Sequence, residues 1–106
     1  MPDYAFHEIR GYPGIKGTLE ISINENDEVF IGGDPKGLKS LAAVLNWLAD
    51  VDQEKTNMPE DEREHVHLRP KMSSDDGGEL TEFSDETEVC RLDAKGSGKF
   101  PDHYYT

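Results

Sequence analysis

Alternating apolar and polar residues early in the chain predict a β-hairpin. The segment LEISI alternates strictly, and VFI resumes the alternation after the turn-forming sequence ENDE. A period of two residues indicates strands with one buried face. For Ile23 and Ile31 to share that face, the loop must hold an odd number of residues, for example Asn26 to Glu28. An odd loop leaves Phe30 on the opposite face.

The next segment has the apolar spacing of an amphipathic helix, from about Pro35 to Val51. Asp34 is a suitable N-cap, and Pro35 at the first helical position loses no hydrogen bond. A second apolar stripe, formed by Val44, Trp47 and Val51, lies beside the main one. We expect the main stripe to pack on the sheet; it consists of Leu38, Leu41, Leu45 and Leu48, widened by Ala42 and Ala49.

Three further strands are predicted after the helix. HVHL forms one, and a hairpin with strands near Leu80–Phe83 and Thr87–Leu92 forms the others. The N-terminal segment DYAFHEI is a candidate edge strand. The fold class is therefore α+β: an antiparallel β-sheet with one amphipathic helix packed on one face, in the order (β)ββαβββ. We expect a single domain, 1–106, with an ordered core at about 17–93.

Composition favours a protein partner over a nucleic acid or a membrane. The 106 residues include 23 Asp and Glu but only 11 Lys and Arg, which gives a formal charge of −12. Such a charge repels phosphate backbones and anionic membranes and attracts basic proteins. We therefore expect a basic protein partner, no nucleic acid and no membrane association.

The cysteine content and the N-terminus predict a cytoplasmic protein. A lone cysteine, Cys90, excludes an internal disulfide and is compatible with a reducing compartment. The N-terminus has no basic start followed by an apolar run, so no signal peptide is expected. Alternation in TEVCRL predicts a buried, structural Cys90, with a pKa raised by nearby carboxylates.

The segment EHVHLRP contains the strongest candidate for chemistry. Two histidines at every second position of a strand lie on one face, where both imidazoles can reach a single metal ion. A zinc site needs at least one further ligand, and neither an HExxH motif nor paired cysteines supply it. The other interpretation, which we favour, is the polar outer face of an ordinary strand. The metal site with His65 and His67 remains the alternative.

Other short motifs do not complete a catalytic site. KGSGK lacks the first glycine and the Ser or Thr of a phosphate-binding loop, and Pro101 prevents a helix from starting there. The serines have no G-x-S-x-G context, and the acidic loops lack EF-hand spacing. We expect no catalytic residue, no cofactor and no enzymatic activity.

The order of motifs resembles a known family. A strand with HxHL (His65 to Leu68) is followed by a short loop and by GGELTE from Gly77, after a strand–turn–strand–helix unit. This order resembles the immunity protein 32 family of bacterial polymorphic-toxin systems. The resemblance covers roughly Gly17 to Asp93. It implies a small α+β domain that binds and neutralises a cognate toxin.

The resemblance and the strand pattern together give a hypothesis for the binding surface. That surface is the exposed sheet face with the neighbouring acidic loops, and its residues are His65, His67, Arg69, Asp61 and Asp75. Two other functions remain open. One is a metal-binding protein or metal-dependent enzyme that uses the histidine pair, and the other is an acidic mimic of a nucleic acid.

Overall fold

The computed structural model describes residues 11–71 and 78–105. Within these residues the chain has one α-helix and two small antiparallel sheets of two strands each. The predicted α+β fold class is confirmed. The N-terminal strand expected in DYAFHEI lies outside the described residues. No helix in the described part of the chain has the length and apolar character needed to cross a membrane.

The first sheet is the predicted hairpin. Its strands are β1 (Leu19–Ile23) and β2 (Val29–Gly33). Ile23 pairs with Val29, so residues 24–28 separate the strands and the loop has an odd number of residues, as predicted. This parity places the apolar side chains of both strands on the same face.

The turn itself is built by Asn24, which shifts the register by two residues from the loop suggested above. The Asn24 side-chain oxygen accepts hydrogen bonds from the backbone N–H groups of Asn26 (2.9 Å) and Glu28 (3.0 Å). Phe30 pairs with Ser22 on the opposite face, as predicted from the parity. Its ring covers Gly32, where a Cβ atom would lie 2.7 Å from the ring.

The helix α1 spans Pro35–Asp50, which confirms the predicted element. Asp34 is its N-cap, and its side-chain oxygen accepts a hydrogen bond from the Gly37 N–H at 2.7 Å. The same oxygen accepts the Thr18 N–H at 3.1 Å, and the Asp34 N–H donates to the Thr18 carbonyl at 3.2 Å. Asp34 therefore joins the start of the helix to the chain entering β1.

Replacing Asp34 should lower stability more than an equivalent change at the other end of α1. The hydrogen bonds from the Gly37 and Thr18 N–H groups hold the pKa of Asp34 below its usual value. The contribution of Asp34 to folding stability is therefore present above the unfolded pKa and is lost as the pH falls through the folded pKa. Asp34→Ala should lower the thermal midpoint at pH 7, and Asp34→Asn should lower it less because the amide oxygen still accepts. Asp50→Ala, which removes a carboxylate at the helix C-terminus, is the control and should not lower the midpoint. Equal midpoints for Asp34→Ala and Asp50→Ala would contradict the capping role.

The helix buries only part of the predicted leucine stripe. Val44 and Leu48 are buried, whereas Leu38 and Leu45 are each 43% exposed. The prediction that the leucine stripe packs on the sheet is therefore wrong at those two positions. Gly37, which is also buried, lets this side of the helix approach the backbone at Thr18. That close approach selects the face centred on Val44.

The apolar face of the hairpin is only partly buried, and Ile23 at the end of β1 is 54% exposed, so the predicted burial of this face is wrong at Ile23 and in β2. Leu19 and Ile21 of β1 are buried, while Val29 and Ile31 of β2 are 66% and 51% exposed. The core consists of side chains from β1, the helix, β3 of the second sheet and the segment that precedes β4, namely Leu19, Ile21, Val44, Val66, Leu68 and Leu80.

The second sheet pairs β3 (His65–Leu68) with β4 (Thr87–Cys90). The predicted hairpin between Leu80–Phe83 and Thr87–Leu92 is wrong, because β4 pairs with β3 instead. Leu80 forms an isolated parallel bridge with Pro70 and is not part of a strand. Its side chain is buried, so the apolar pattern that suggested a strand reflects packing into the core.

The segment 80–85 connects the two sheets through hydrogen bonds to β1. The N–H of Thr81 donates to the Leu19 carbonyl (2.9 Å), and the N–H of Asp85 donates to the Ile21 carbonyl (2.8 Å). The Ile21 N–H in turn donates to the hydroxyl of buried Ser84 (3.1 Å). The backbone N–H and carbonyl groups on the edge of β1 that faces away from β2 thus have hydrogen-bond partners, although no regular strand pairs with this edge.

Candidate functional site

The outer face of the β3–β4 ladder brings four potential ligand side chains together. Val66 and Leu68 are buried, so the alternate residues of β3 point away from the core, as predicted. In the antiparallel register, His67 lies opposite Glu88 and His65 lies opposite Cys90. Directly opposed residues of an antiparallel pair point to the same side of a sheet. The strand pairing therefore collects two imidazoles, a carboxylate and a thiol on one face.

Three of these side chains form a compact group. The ring centroids of His65 and His67 are 4.9 Å apart, with the rings nearly perpendicular. One ligand atom from each of His65, His67 and Glu88 lies within 4.8 Å of the others. His65 Nδ1 lies 3.1 Å from the carbonyl oxygen of Arg63. A carbonyl oxygen only accepts, so this contact is a hydrogen bond in the tautomer that carries the proton on Nδ1, and that tautomer leaves Nε2 as the ligand atom.

The structure corrects the prediction for Cys90. The sequence pattern predicts a buried structural cysteine, but the residue is exposed on this outer face. Loss of hydration raises the pKa of its thiol, and the Glu88 carboxylate raises it further. The Sγ donates to the Arg91 carbonyl at 2.9 Å. The raised pKa keeps the side chain a neutral thiol at pH 7.

The remaining predicted site residues are not all on this face. Arg69 is exposed just after β3, and its backbone N–H donates to the Glu79 carboxylate at 2.9 Å. Asp61 lines an open cleft of about 310 Å³ between the loop before β3 and the C-terminal segment. Its carboxylate accepts from the Ser97 hydroxyl at 3.2 Å. Asp75 lies outside the described residues.

Several carboxylates gather at one end of the molecule, where the β1–β2 loop meets the start of β4. The Ile23 N–H donates to the Asp85 carboxylate at 2.9 Å, which brings the loop beside the segment that enters β4. Residues 24–28 and 85–86 therefore share this end. We call it the acidic end; its carboxylates belong to Glu25, Asp27, Glu28, Asp85 and Glu86.

The contribution of Glu88 was not visible in the sequence. Alternation in TEVC predicts which of its residues share a face, and the same applies to HVHL. The pattern does not specify that these two segments pair, and the predicted partner of TEVC was a different segment. The third member of the histidine group therefore depends on the strand pairing.

Comparison with known proteins identifies the family. Residues 28–92 match the family model described as Immunity protein 32. The match covers more than half of the chain and includes β2, α1, β3 and β4. No match is found among curated proteins or among solved structures. Immunity proteins of this kind are generally not enzymes, and the chain belongs to the immunity protein 32 family.

Proposed function

We propose that this protein neutralises a cognate bacterial toxin by binding to it in the cytoplasm, without catalysing a reaction. Membership of the immunity protein 32 family is the observation that carries the proposal. The matched region contains the helix and the strands that form most of the core, so the family relationship concerns the folded unit.

The partner is a basic protein on this proposal. A formal charge of −12 on 106 residues accelerates encounters with a positively charged surface. The acidic end concentrates part of this charge on exposed side chains, where it acts over about 8 Å at physiological ionic strength. Toxin domains that act on nucleic acids present such a basic surface.

The binding surface on this proposal is the outer face of β3 with its neighbouring acidic residues. His67 is exposed on β3, and Arg69 is exposed directly after the strand ends, so the ladder holds the backbone at this surface in place before binding. His65 is half-buried beside them. Asp61 supplies negative charge from the segment before β3, and Asp75, which follows β3 in the sequence and lies outside the described residues, is the second carboxylate of the proposed surface. Arginine is a frequent source of binding energy at protein interfaces, so Arg69 is the first residue to test.

The first test is rescue of growth. The toxin candidate is the product of the adjacent gene, and its expression should arrest growth unless this protein is co-expressed. Arg69→Ala should weaken binding to that product at least about tenfold, which corresponds to about 1.4 kcal/mol, mainly through faster dissociation. Lys39→Ala, on the exposed surface of α1, is the control and should bind like the wild type.

The charges are tested by the association rate. Asp61→Asn with Asp75→Asn should slow association by several-fold to about tenfold at low salt, and added salt should reduce the difference. Asn is suitable at Asp61 because this residue has φ 68°, a left-handed conformation that Asn tolerates. Asp50→Asn with Glu82→Gln removes the same charge elsewhere. If the two pairs slow association equally, Asp61 and Asp75 do not guide the partner. If the wild type neither binds nor rescues, the proposed function is wrong.

A further inference from the structure

We propose that His65, His67 and Glu88 form a binding site for one divalent transition-metal ion, with Zn²⁺ as the best candidate. The proposal is independent of toxin neutralisation, because it concerns the isolated protein. It begins with the convergence of three side chains whose donor atoms lie within 4.8 Å of one another.

The backbone prearranges these three side chains. His65 and His67 are two residues apart on β3, and Glu88 is the cross-strand partner of His67. Both relationships are set by the strand ladder, so the Cα atoms need no movement to bring the donors together. A tetrahedral ion with bonds of ~2.0–2.1 Å places its ligands ~3.4 Å apart. The remaining difference requires only rotation of side chains, two of which are exposed.

The contact between His65 and Arg63 provides the outer support that metal-binding histidines need. His65 Nδ1 lies 3.1 Å from the Arg63 carbonyl oxygen. A hydrogen bond from a protonated Nδ1 to this oxygen orients the ring and leaves the Nε2 lone pair for an ion. The Arg63 guanidinium is engaged elsewhere, since it donates to the carbonyls of Leu92 (2.8 Å) and Lys99 (2.9 Å). The main-chain carbonyl of Arg63 thus contacts His65, while the guanidinium of Arg63 binds the C-terminal segment.

The ligand set selects the class of ion. Imidazole nitrogens favour Zn²⁺ and its transition-metal neighbours, whereas Mg²⁺ and Ca²⁺ prefer all-oxygen sites. Two imidazoles and one carboxylate leave at least one coordination position for water or for a side chain of another molecule. The overall negative charge of the protein adds to the attraction for a cation. Bound Zn²⁺ would also link β3 to β4.

The test is a calorimetric titration of the full chain, without a histidine tag and after treatment with EDTA, against ZnCl₂. We expect one site per chain, and no comparable heat with MgCl₂. Removal of an outer-shell partner alone costs 10–100-fold in affinity, so His67→Ala and Glu88→Gln should each weaken binding by about 100-fold or more. Circular dichroism checks that both variants remain folded, as expected for changes at exposed side chains.

Two matched controls make the result specific. His103→Ala removes another exposed histidine, from the short 3-10 helix Asp102–Tyr105, and Glu82→Gln removes another exposed glutamate; both should bind like the wild type. Cys90→Ser should also retain the site, because the thiol is directed toward the Arg91 carbonyl. Absence of Zn²⁺ binding by the wild type, or binding that survives both His67→Ala and Glu88→Gln, overturns the proposal. Either result leaves the toxin-rescue experiment unaffected.

Discussion

Gly37→Ala should destabilise the protein by about 2–3 kcal/mol, although alanine is the better helix former. Gly37 is buried in the first turn of α1, and its Cα faces the backbone at Thr18. A Cβ atom placed there would overlap the Thr18 carbonyl oxygen and lie 2.6 Å from its carbon. The obstacle is a backbone group that is hydrogen-bonded to Asp34, so it cannot rotate aside as a side chain would. The helix or β1 must move.

Urea denaturation monitored by circular dichroism measures this effect. Ala49→Gly is the matched control, because residue 49 is exposed in the same helix and the change should cost only about 1 kcal/mol from helix propensity. Propensity alone would make Gly37→Ala stabilising by a similar amount. The sign of the change therefore separates the two effects. A Gly37→Ala variant as stable as the wild type would contradict the close packing of α1 on the chain entering β1.

Arg91→Ala should have the second large effect, a loss of about 2–3 kcal/mol. The Arg91 guanidinium donates to the carbonyls of Leu48 and Val51 at 3.0 Å, where the last turn of α1 has no internal partners. It also forms a bidentate pair with Asp93, at 2.8 and 2.6 Å. Breaking a fully buried ion pair would cost more than this. The side chain of Asp93 is 38% exposed, so water offsets part of the loss.

Arg91→Lys and Arg69→Ala help to assign this loss. Lysine keeps the positive charge but not the planar fork, so Arg91→Lys should lie between the wild type and Arg91→Ala. Arg69→Ala removes an exposed arginine and should change the free energy of unfolding by less than about 0.5 kcal/mol. If Arg91→Lys equals the wild type, the bidentate geometry contributes nothing and charge alone stabilises the helix end.

The same pair predicts how stability depends on pH. The hydrogen bonds from Arg91 hold the pKa of Asp93 below its usual value. A lowered pKa in the folded state means that the unfolded state binds more protons in acid. The contribution of the Arg91–Asp93 pair to stability is therefore present above the unfolded pKa of about 3.9 and is lost as the pH falls through the folded pKa. The stability difference between the wild type and Arg91→Ala should therefore shrink in acid. A difference that stays constant from neutral pH to pH 2 would rule out the ionised pair as its source.

Part of the candidate site was predictable because its signal is local. His65 and His67 share the outer face of β3 on account of the two-residue period of a strand, and Val66 and Leu68 anchor that strand in the core. Glu88 belongs to the same group only because β4 pairs with β3 in this register. The sequence pattern favoured a different partner for β4, since Leu80–Phe83 also has the apolar character of a strand.

Sequence patterns alone were enough to predict the elements whose signals lie within a few neighbouring residues. These are the parity of the β1–β2 loop, the helix from its Asp34 cap onward, and the outward direction of the two histidines. The choice of the buried helix face depends on tertiary packing, namely on the space that Gly37 leaves for the backbone at Thr18. The pairing of β3 with β4, and hence the position of Glu88, likewise depends on contacts between distant segments. Local patterns specify the period of an element, whereas its partners follow from the packing of segments that are distant in the chain.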